Sequence, residues 1–160
     1  MNTKYKKMDA RQLTECYDEV IAKHEEAKMA YKAAKNEDER EAVFEDYPDY
    51  KSGHLPMTPA RQAFETFKRQ YEAYSDLSDK QLIEDCENII LLSPDAAEYC
   101  FHVARRRQLP WPEAEHRIAE SPMWSYLYAS MIIKGKFDAG EEAIHSNENY
   151  SKRYNSKGDY

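Results

Sequence analysis

The sequence predicts an all-α protein, in which a long N-terminal helix or helical hairpin precedes a short array of stacked helical hairpins. Three features of the composition favour helices over strands. The 160-residue chain has only four glycines, so tight β-turns that need positive φ must be scarce. Valine and isoleucine are sparse, while alanine, glutamate and lysine are abundant. Charged residues make up 33% of the chain, which is typical of helices with one solvated face.

An amphipathic helix is predicted from about Asp9 to Lys35, because apolar positions recur every three or four residues and form a seam on one helix face. The seam consists of Leu13, Tyr17, Val20, His24, Ala27, Tyr31 and Ala34. Asn36 to Asp38 would break or cap this helix, which would resume to about Tyr47. We expect the seam to pack on the rest of the chain. A self-associating coiled coil is the alternative, although alanine and histidine weaken such a seam.

A proline-rich segment separates this region from the rest of the chain. Tyr47 to Pro59 holds three prolines and one glycine, which is the clearest boundary in the sequence. We therefore expect an N-terminal helical arm over 1–47, a linker over 48–58, a helical repeat domain over 59–155 and a frayed tail over 156–160.

Helix starts are well marked in the C-terminal region. Thr58 suits an N-cap and Pro59 suits the first helical position. Ser78 is expected to cap the next helix, with Gln81 as its partner in a capping box. Farther along, Ser93-Pro94 and Ser121-Pro122 are expected to begin two more helices in the same way.

The rest of the chain nearly repeats itself at a spacing of about 26–28 residues, a period typical of stacked supersecondary units. Each of two units is predicted to hold a longer helix, a tight turn with an aromatic anchor, and a shorter helix. A fragment of a third copy, Asn147 to Tyr154, echoes Ser121 to Tyr128. We expect Gly135 to supply the left-handed residue after the longer helix of the second unit. The structural anchors of the repeat are Pro94, Trp111, Pro112, Pro122, Gly135 and Phe137.

The second unit carries a resemblance to a known kind of repeat. Its segments are Ser121-Pro122-Met123-Trp124, Ile132-Ile133-Lys134-Gly135 and Phe137-Asp138-Ala139-Gly140-Glu141. They resemble a short helical repeat of uncharacterised tailed-bacteriophage proteins, and Trp111-Pro112-Glu113-Ala114-Glu115 is similar to its last part. The resemblance covers residues 93–154 and implies a phage origin and a helical array, with no activity attached. The first unit lacks the Lys-Gly turn, so its loop is expected to have a different shape.

Composition points away from several classes of function. A net charge of -7 disfavours direct binding to nucleic acid, which needs clustered cations. The run Arg105 to Arg107 is expected to complement a helix dipole. No stretch approaches the apolar length of a membrane span. Three cysteines without a CxxC pair, and no apolar segment behind the N-terminus, favour the cytoplasm, that of the host cell if a phage encodes the protein.

Motifs for catalysis are missing from the sequence. The histidines show no metal-binding spacing, and neither a glycine-rich phosphate loop nor a nucleophile elbow occurs. We therefore expect no cofactor and no metal. For an enzyme built from dispersed residues, the first suspects are His102, His116, Glu113 and Tyr128.

Tyrosine is unusually frequent, at 13 residues. Rigid amphipathic rings are favoured at protein interfaces, although partly buried tyrosines with solvated hydroxyls are the simpler interpretation. Tyr128 also belongs to the tyrosines expected to pack between hairpins. The residues predicted to bind a partner are Tyr47, Tyr50, Tyr71, Tyr74, Trp124 and Tyr128.

The leading hypothesis is a non-enzymatic protein that binds and modulates a host or phage protein, because repeat arrays present surfaces to partners. Two alternatives stay open. One is an oligomeric structural or assembly protein that associates through its N-terminal helix. The other is an acidic inhibitor that mimics DNA. An enzyme with a dispersed site is a further possibility.

Overall fold

The computed structural model describes residues 5, 7–51, 56–72 and 79–156. Within these ranges all regular structure is helical and no strand occurs. The predicted all-α fold class is therefore confirmed. None of the helices in the described ranges combines the length and the apolar character needed to cross a bilayer.

The N-terminal region is a helical hairpin. Helix α1 (Ala10–Ala33) follows the N-cap Asp9. Helix α2 (Glu37–Asp46) follows Asn36, whose side chain accepts a hydrogen bond from the N–H of Glu39 at 2.9 Å. The predicted break at Asn36 is confirmed. Its physical cause is that an asparagine side chain satisfies a backbone donor that the start of a helix leaves unpaired. Helix α2 packs on α1.

The apolar seam of α1 is buried within the chain. Leu13 is fully buried in the main core, and Ala27 is 1% exposed. The other five seam positions are partly buried. Helix α1 also packs on α4 (Pro59–Glu72) and on α5 (Lys80–Leu92). The arm therefore lies against the rest of the chain, as the favoured interpretation of the seam predicts.

The segment predicted as a linker is partly helical. Helix α3 (Pro48–Lys51) packs against α1 and α2, so the linker predicted over 48–58 is wrong for its first four residues. Pro48 begins this helix because proline has a suitable φ for the first helical position and needs no backbone donor there. Residues 52–55 lie outside the described ranges.

The two helix starts that follow differ in outcome. Thr58 caps α4 as predicted, since its hydroxyl accepts a hydrogen bond from the first turn, and Pro59 is the first helical residue. The predicted start of α5 is wrong by one residue. Its N-cap is Asp79 rather than Ser78, and the Asp79 carboxylate accepts from the N–H of Leu82 at 3.0 Å. Ser78 itself lies outside the described ranges.

Beyond α5 the fold repeats itself at intervals of 26 positions. The first unit comprises α6 (Ala96–Arg107), a 3-10 turn (Pro112–Ala114) and α7 (Glu115–Ile118). The second comprises α8 (Pro122–Tyr128), its continuation as a π-helical turn (Ala129–Ile133), a 3-10 turn (Asp138–Gly140) and α9 (Glu141–Ser146). Helix α10 (Glu148–Ser156) begins a third copy. Pro112 and Pro122 begin their elements as predicted.

The same hydrogen bond closes both units. The backbone N–H of Trp111 donates to the hydroxyl of Tyr128 at 2.7 Å, and the N–H of Phe137 donates to the hydroxyl of Tyr154 at 3.0 Å. Each bond spans 17 residues. Trp111 and Phe137 are both buried and have nearly the same backbone angles. The two aromatic anchors therefore occupy equivalent places in two copies of one helical unit.

The predicted helix start at Ser93-Pro94 is wrong. Ser93 ends α5, Pro94 is exposed in the following turn, and α6 begins two residues later at Ala96. The hydroxyl of Ser93 donates to a carbonyl of the last turn of α5, so this serine belongs to the end of one helix rather than to the start of the next. The counterpart of Ser121-Pro122 is Asp95-Ala96, and Pro94 does not anchor the repeat.

The turn after the longer helix also differs from prediction. The left-handed residue of the second unit is Lys134, with φ 54°, rather than Gly135. Gln108 has φ 55° at the equivalent position of the first unit. The loop of the first unit, expected to differ because it lacks Lys-Gly, therefore shares this conformation. A Cβ on Gly135 would meet only ordinary contacts, which shows that glycine is not needed there.

Candidate functional site

A row of five aromatic rings crosses α4, α6 and α8 and joins two of the residues predicted to bind a partner, Tyr71 and Trp124. Tyr71 stacks on Phe67 with ring centroids 5.5 Å apart, and Phe67 neighbours Phe64 at 6.4 Å. The Phe64 ring lies 5.6 Å from His102, and His102 meets Trp124 edge-on at 5.4 Å. We call these five residues the aromatic row.

The aromatic row is anchored in the core by Phe67, and its other four rings are at least partly exposed. Phe64, Phe67 and Tyr71 share one face of α4 because they are spaced by three and four residues. Phe67 is fully buried, whereas Tyr71 is 41% exposed. Trp124 is half-buried and stacks on the buried Phe101 at 5.3 Å. The row therefore offers rigid amphipathic rings whose positions the core determines.

His102 is a neutral ring in this row at neutral pH. Burial lowers its pKa, and the positive charge of Arg105 lowers it further. The imidazole lies 3.8 Å from a carboxylate oxygen of Glu98, but an ion pair would require a protonated histidine. Because the lowered pKa disfavours that form, we regard this contact as weak at neutral pH. His102 thus contributes a flat surface and a hydrogen-bonding nitrogen.

The prediction that Tyr128 binds a partner is wrong. Its side chain is fully buried. The hydroxyl accepts from Trp111 and donates to a carboxylate oxygen of Glu115 at 3.1 Å, and burial raises its pKa. The ring packs edge-on against Phe137 at 5.0 Å. Tyr128 therefore holds the two repeat units together, as expected for the tyrosines between hairpins.

Tyr47 and Tyr50 lie together at the N-terminal hairpin and do not belong to the aromatic row. Both line a pocket with a volume of about 290 Å³ between α1, α3 and the segment Pro56-Met57. Tyr50 also contacts His24, with ring centroids 5.2 Å apart. Tyr74, the remaining tyrosine predicted to bind a partner, lies outside the described residues.

A charged contact that sequence reasoning missed lies beside Trp111. Arg107 forms an ion pair with Glu87, and its guanidinium lies over the rings of Phe67 and Trp111 at 5.2 and 5.7 Å. Burial raises the pKa of Glu87 although the charge of Arg107 opposes this shift. The run Arg105 to Arg107 gave no signal that one of the three would be sandwiched between rings, because the partners are distant in sequence.

The residues suspected of a dispersed catalytic site are not brought together. Among the described residues, no hydrogen bond or ion pair joins any two of His102, His116, Glu113 and Tyr128. Nor does the described part of the chain contain a group of three or more His, Cys, Asp or Glu side chains suited to a metal ion. Burial raises the pKa of Cys100 to about 12, which disfavours the thiolate that a nucleophile needs.

Comparison with family models, with curated proteins and with solved structures finds no match to this chain. The bacteriophage repeat that the second unit resembles therefore stays a prediction. The candidate surface is supported by its own geometry, namely five rings from three helices in one row, four of which are at least partly exposed.

Proposed function

We propose that this protein is a non-enzymatic interaction module that binds another protein along the aromatic row. The row itself is the observation that carries the proposal. It connects Tyr71 to Trp124 through successive ring contacts although 53 positions separate them in the chain. Tyrosine and tryptophan are the residue types that most often dominate the energetics of binding.

The anchoring of the row favours binding. Immobilising a flexible side chain costs about 0.5–1.5 kcal/mol on association. Trp124 and Phe64 are already held by contacts with Phe101, Tyr99 and Phe67, so a partner meets rings that need little further ordering.

The size of a typical interface and the overall charge of the protein suggest which partner fits. A standard interface buries about 800 Å² on each side, so a partner must reach beyond the rings to the polar rim. The protein carries a net charge of -7, which favours a partner with a basic rim around an apolar centre. With the resemblance to a phage repeat, this partner would be a phage or host protein in the bacterial cytoplasm.

The two alternatives find less support in the structure. Association through the seam of α1 would compete with its present packing, since Leu13 and Ala27 are already buried within the chain. Mimicry of DNA needs a continuous array of negative charge, but several carboxylates are paired with neighbouring cations. Examples are the pairs Arg11–Glu15, Lys28–Glu25 and Lys152–Glu148.

Affinity capture from bacterial lysate, quantified by mass spectrometry, tests the proposal. Tyr71→Ser removes the most exposed ring of the row, and Met29→Ser removes an apolar side chain that is 65% exposed on α1. We expect the wild-type protein and the Met29 variant to capture the same dominant protein, and the Tyr71 variant to lose it. Undiminished capture by the Tyr71 variant, with an unchanged circular dichroism spectrum, would contradict docking on this row.

A further inference from the structure

The pocket at the N-terminal hairpin has the composition of a site for an organic cation. We propose that it binds an ammonium or guanidinium group carried on a short apolar stem. This inference is independent of the proposed docking on the aromatic row, because the pocket is formed by α1, α3, the end of α2 and Pro56-Met57.

The walls of the pocket provide apolar and aromatic surface. The apolar and aromatic residues that line it are Val20, His24, Ala27, Tyr47, Pro48, Tyr50, Pro56 and Met57. Tyr50 is held in place by ring contacts with His24 at 5.2 Å, Tyr31 at 6.0 Å and Phe44 at 6.5 Å. Electron-rich faces of such rings attract cations, and the apolar residues can cover a hydrocarbon stem.

The same aromatic cluster already holds one guanidinium group. The Cζ atom of Arg40 lies 5.6 Å from the centroid of Tyr31, and Tyr31 contacts Tyr50. This intramolecular contact shows that a guanidinium can be accommodated against these rings. A second cation on the pocket side of Tyr50 would use the same kind of attraction.

The charges around the pocket favour a cation over an anion. Asp46 and Asp49 both line it. Asp46 is also the last residue of α2, whose last turn carries no basic side chain, so the negative end of the helix dipole is not compensated there. Among the described lining residues, the lysine is Lys23, which is exposed. Its flexible stem allows the ammonium group to turn away into solvent, but its charge opposes the ligand.

The size of the pocket limits the ligand. Pockets for drug-sized molecules enclose about 300–1,000 Å³, and this one encloses about 290 Å³. A single lysine-sized or arginine-sized group fits this volume. The same chemistry is offered by a small free amine and by a basic side chain of a peptide.

Titration of the full-length protein, followed by NMR of its backbone amides, tests the proposal. The probes are n-propylguanidine, a free guanidine with one positive charge, and N-acetyl-arginine amide, which has the same charge and represents a peptide side chain. N-acetyl-citrulline amide is the neutral control of the same shape. We expect the two cations to shift the amide signals of His24, Ala27, Tyr47 and Tyr50 with millimolar affinity, and citrulline to leave them in place. Equal shifts with citrulline, or no shift with either cation, would overturn the proposal.

Two variants with matched controls, and a comparison of the two cationic probes, test the proposal further. Asp46→Asn should weaken binding roughly threefold, the size expected for one exposed charge pair, whereas Glu45→Gln, which removes an equal charge outside the pocket, should have a smaller effect. Lys23→Gln should strengthen binding, whereas Lys32→Gln should leave it nearly unchanged. Tighter binding of n-propylguanidine would assign a small free cation as the ligand, and tighter binding of N-acetyl-arginine amide would assign a basic side chain. Equal effects of each variant and its control would contradict a site at this pocket.

Discussion

The ring of Phe137 fills the space in which a side chain on Gly140 would lie. A Cβ at Gly140 would also come within 2.9 Å of the Cβ of Ser125. In the first repeat unit the equivalent residue is Ala114, which is fully buried close to Trp111. The two units therefore share a backbone path, but only the first unit has room for a Cβ beside its aromatic anchor.

Replacing Gly140 by alanine is expected to lower the free energy of unfolding by about 1–3 kcal/mol, because an extra methyl group in a filled core forces its neighbours to shift. Gly135→Ala is the matched control, since a Cβ there would lie 3.6 Å from the nearest atom. It should leave the free energy unchanged or raise it slightly, by restricting the unfolded chain. Urea unfolding measures both, and equal losses would contradict the close packing of Phe137 on Gly140.

The two hydroxyls that close the repeat units should be worth similar amounts of stability. Tyr128→Phe and Tyr154→Phe each remove the acceptor of a buried backbone N–H, which costs about 1–3 kcal/mol when no other partner is available. Tyr71→Phe, on an exposed ring, is the control and should change the free energy by less than about 0.5 kcal/mol. If Tyr154→Phe had no effect in urea unfolding, the equivalence of the two units would not hold.

Packing of α1 on the rest of the chain gives a third prediction. Leu13→Ala should lower the free energy of unfolding by about 2–5 kcal/mol, because the leucine is fully buried. Met29→Ala, at a side chain that is 65% exposed, should have little effect. Both values should be independent of protein concentration. A midpoint that rises with concentration for the wild type and not for the Leu13 variant would instead indicate self-association through the seam.

Asp95 should make stability depend on pH. Burial raises the pKa of its carboxyl above the usual 3.8, although a hydrogen bond from Thr58 to this carboxylate at 2.7 Å opposes the shift. The folded protein therefore retains a proton that the unfolded chain releases. As a result, the contribution of this group to stability is fully present below about pH 4 and falls as the pH rises through the raised pKa.

The matched substitutions are Asp95→Asn and Asp79→Asn. Asparagine caps a helix about as well as aspartate does, which suits Asp79 at the start of α5, whereas the Asp95 side chain makes no cap hydrogen bond and accepts from Thr58. We expect Asp95→Asn to raise the free energy of unfolding at pH 7 and to lose this advantage as the pH falls towards 4. Asp79 is exposed, so replacing it relieves no burial of charge and should not raise the free energy of unfolding. Urea unfolding at several pH values measures the difference in the free energy of unfolding between each variant and the wild type. A gain for Asp95→Asn that grows towards acid pH would contradict a raised pKa for Asp95.

Periodicity was sufficient to predict the seam of α1, because burial repeats with the turns of a helix and can be read from residue spacing alone. The start of α6 could not be predicted in the same way. A Ser-Pro pair suits both the end of one helix and the start of the next, and only the packing of α5 against α6 decides between them. Lys134 shows a related limit, since a left-handed residue next to a glycine is easily assigned to the glycine.

The aromatic row could not be predicted, because its members come from three helices whose order in space depends on the whole fold. Tyr128 is predicted both to bind a partner and to pack between hairpins, because the residue type alone does not distinguish an interface tyrosine from a core tyrosine. One signal was available. Trp111 precedes Tyr128 by the same interval at which Phe137 precedes Tyr154, and this interval identifies both hydroxyls as partners of the aromatic anchors.

The hydrogen bond that closes each unit is accepted by a tyrosine hydroxyl of the next copy of the repeat. An internal deletion of residues 122–147 would join Ser121 to Glu148 and bring Tyr154 to the place of Tyr128, so Trp111 would keep an acceptor at the same distance along the chain. Duplication of the same segment would add one complete layer. Unequal recombination could thus shorten or lengthen such a gene by whole periods while every closing bond survives, whereas any fractional change would leave an anchor unpaired.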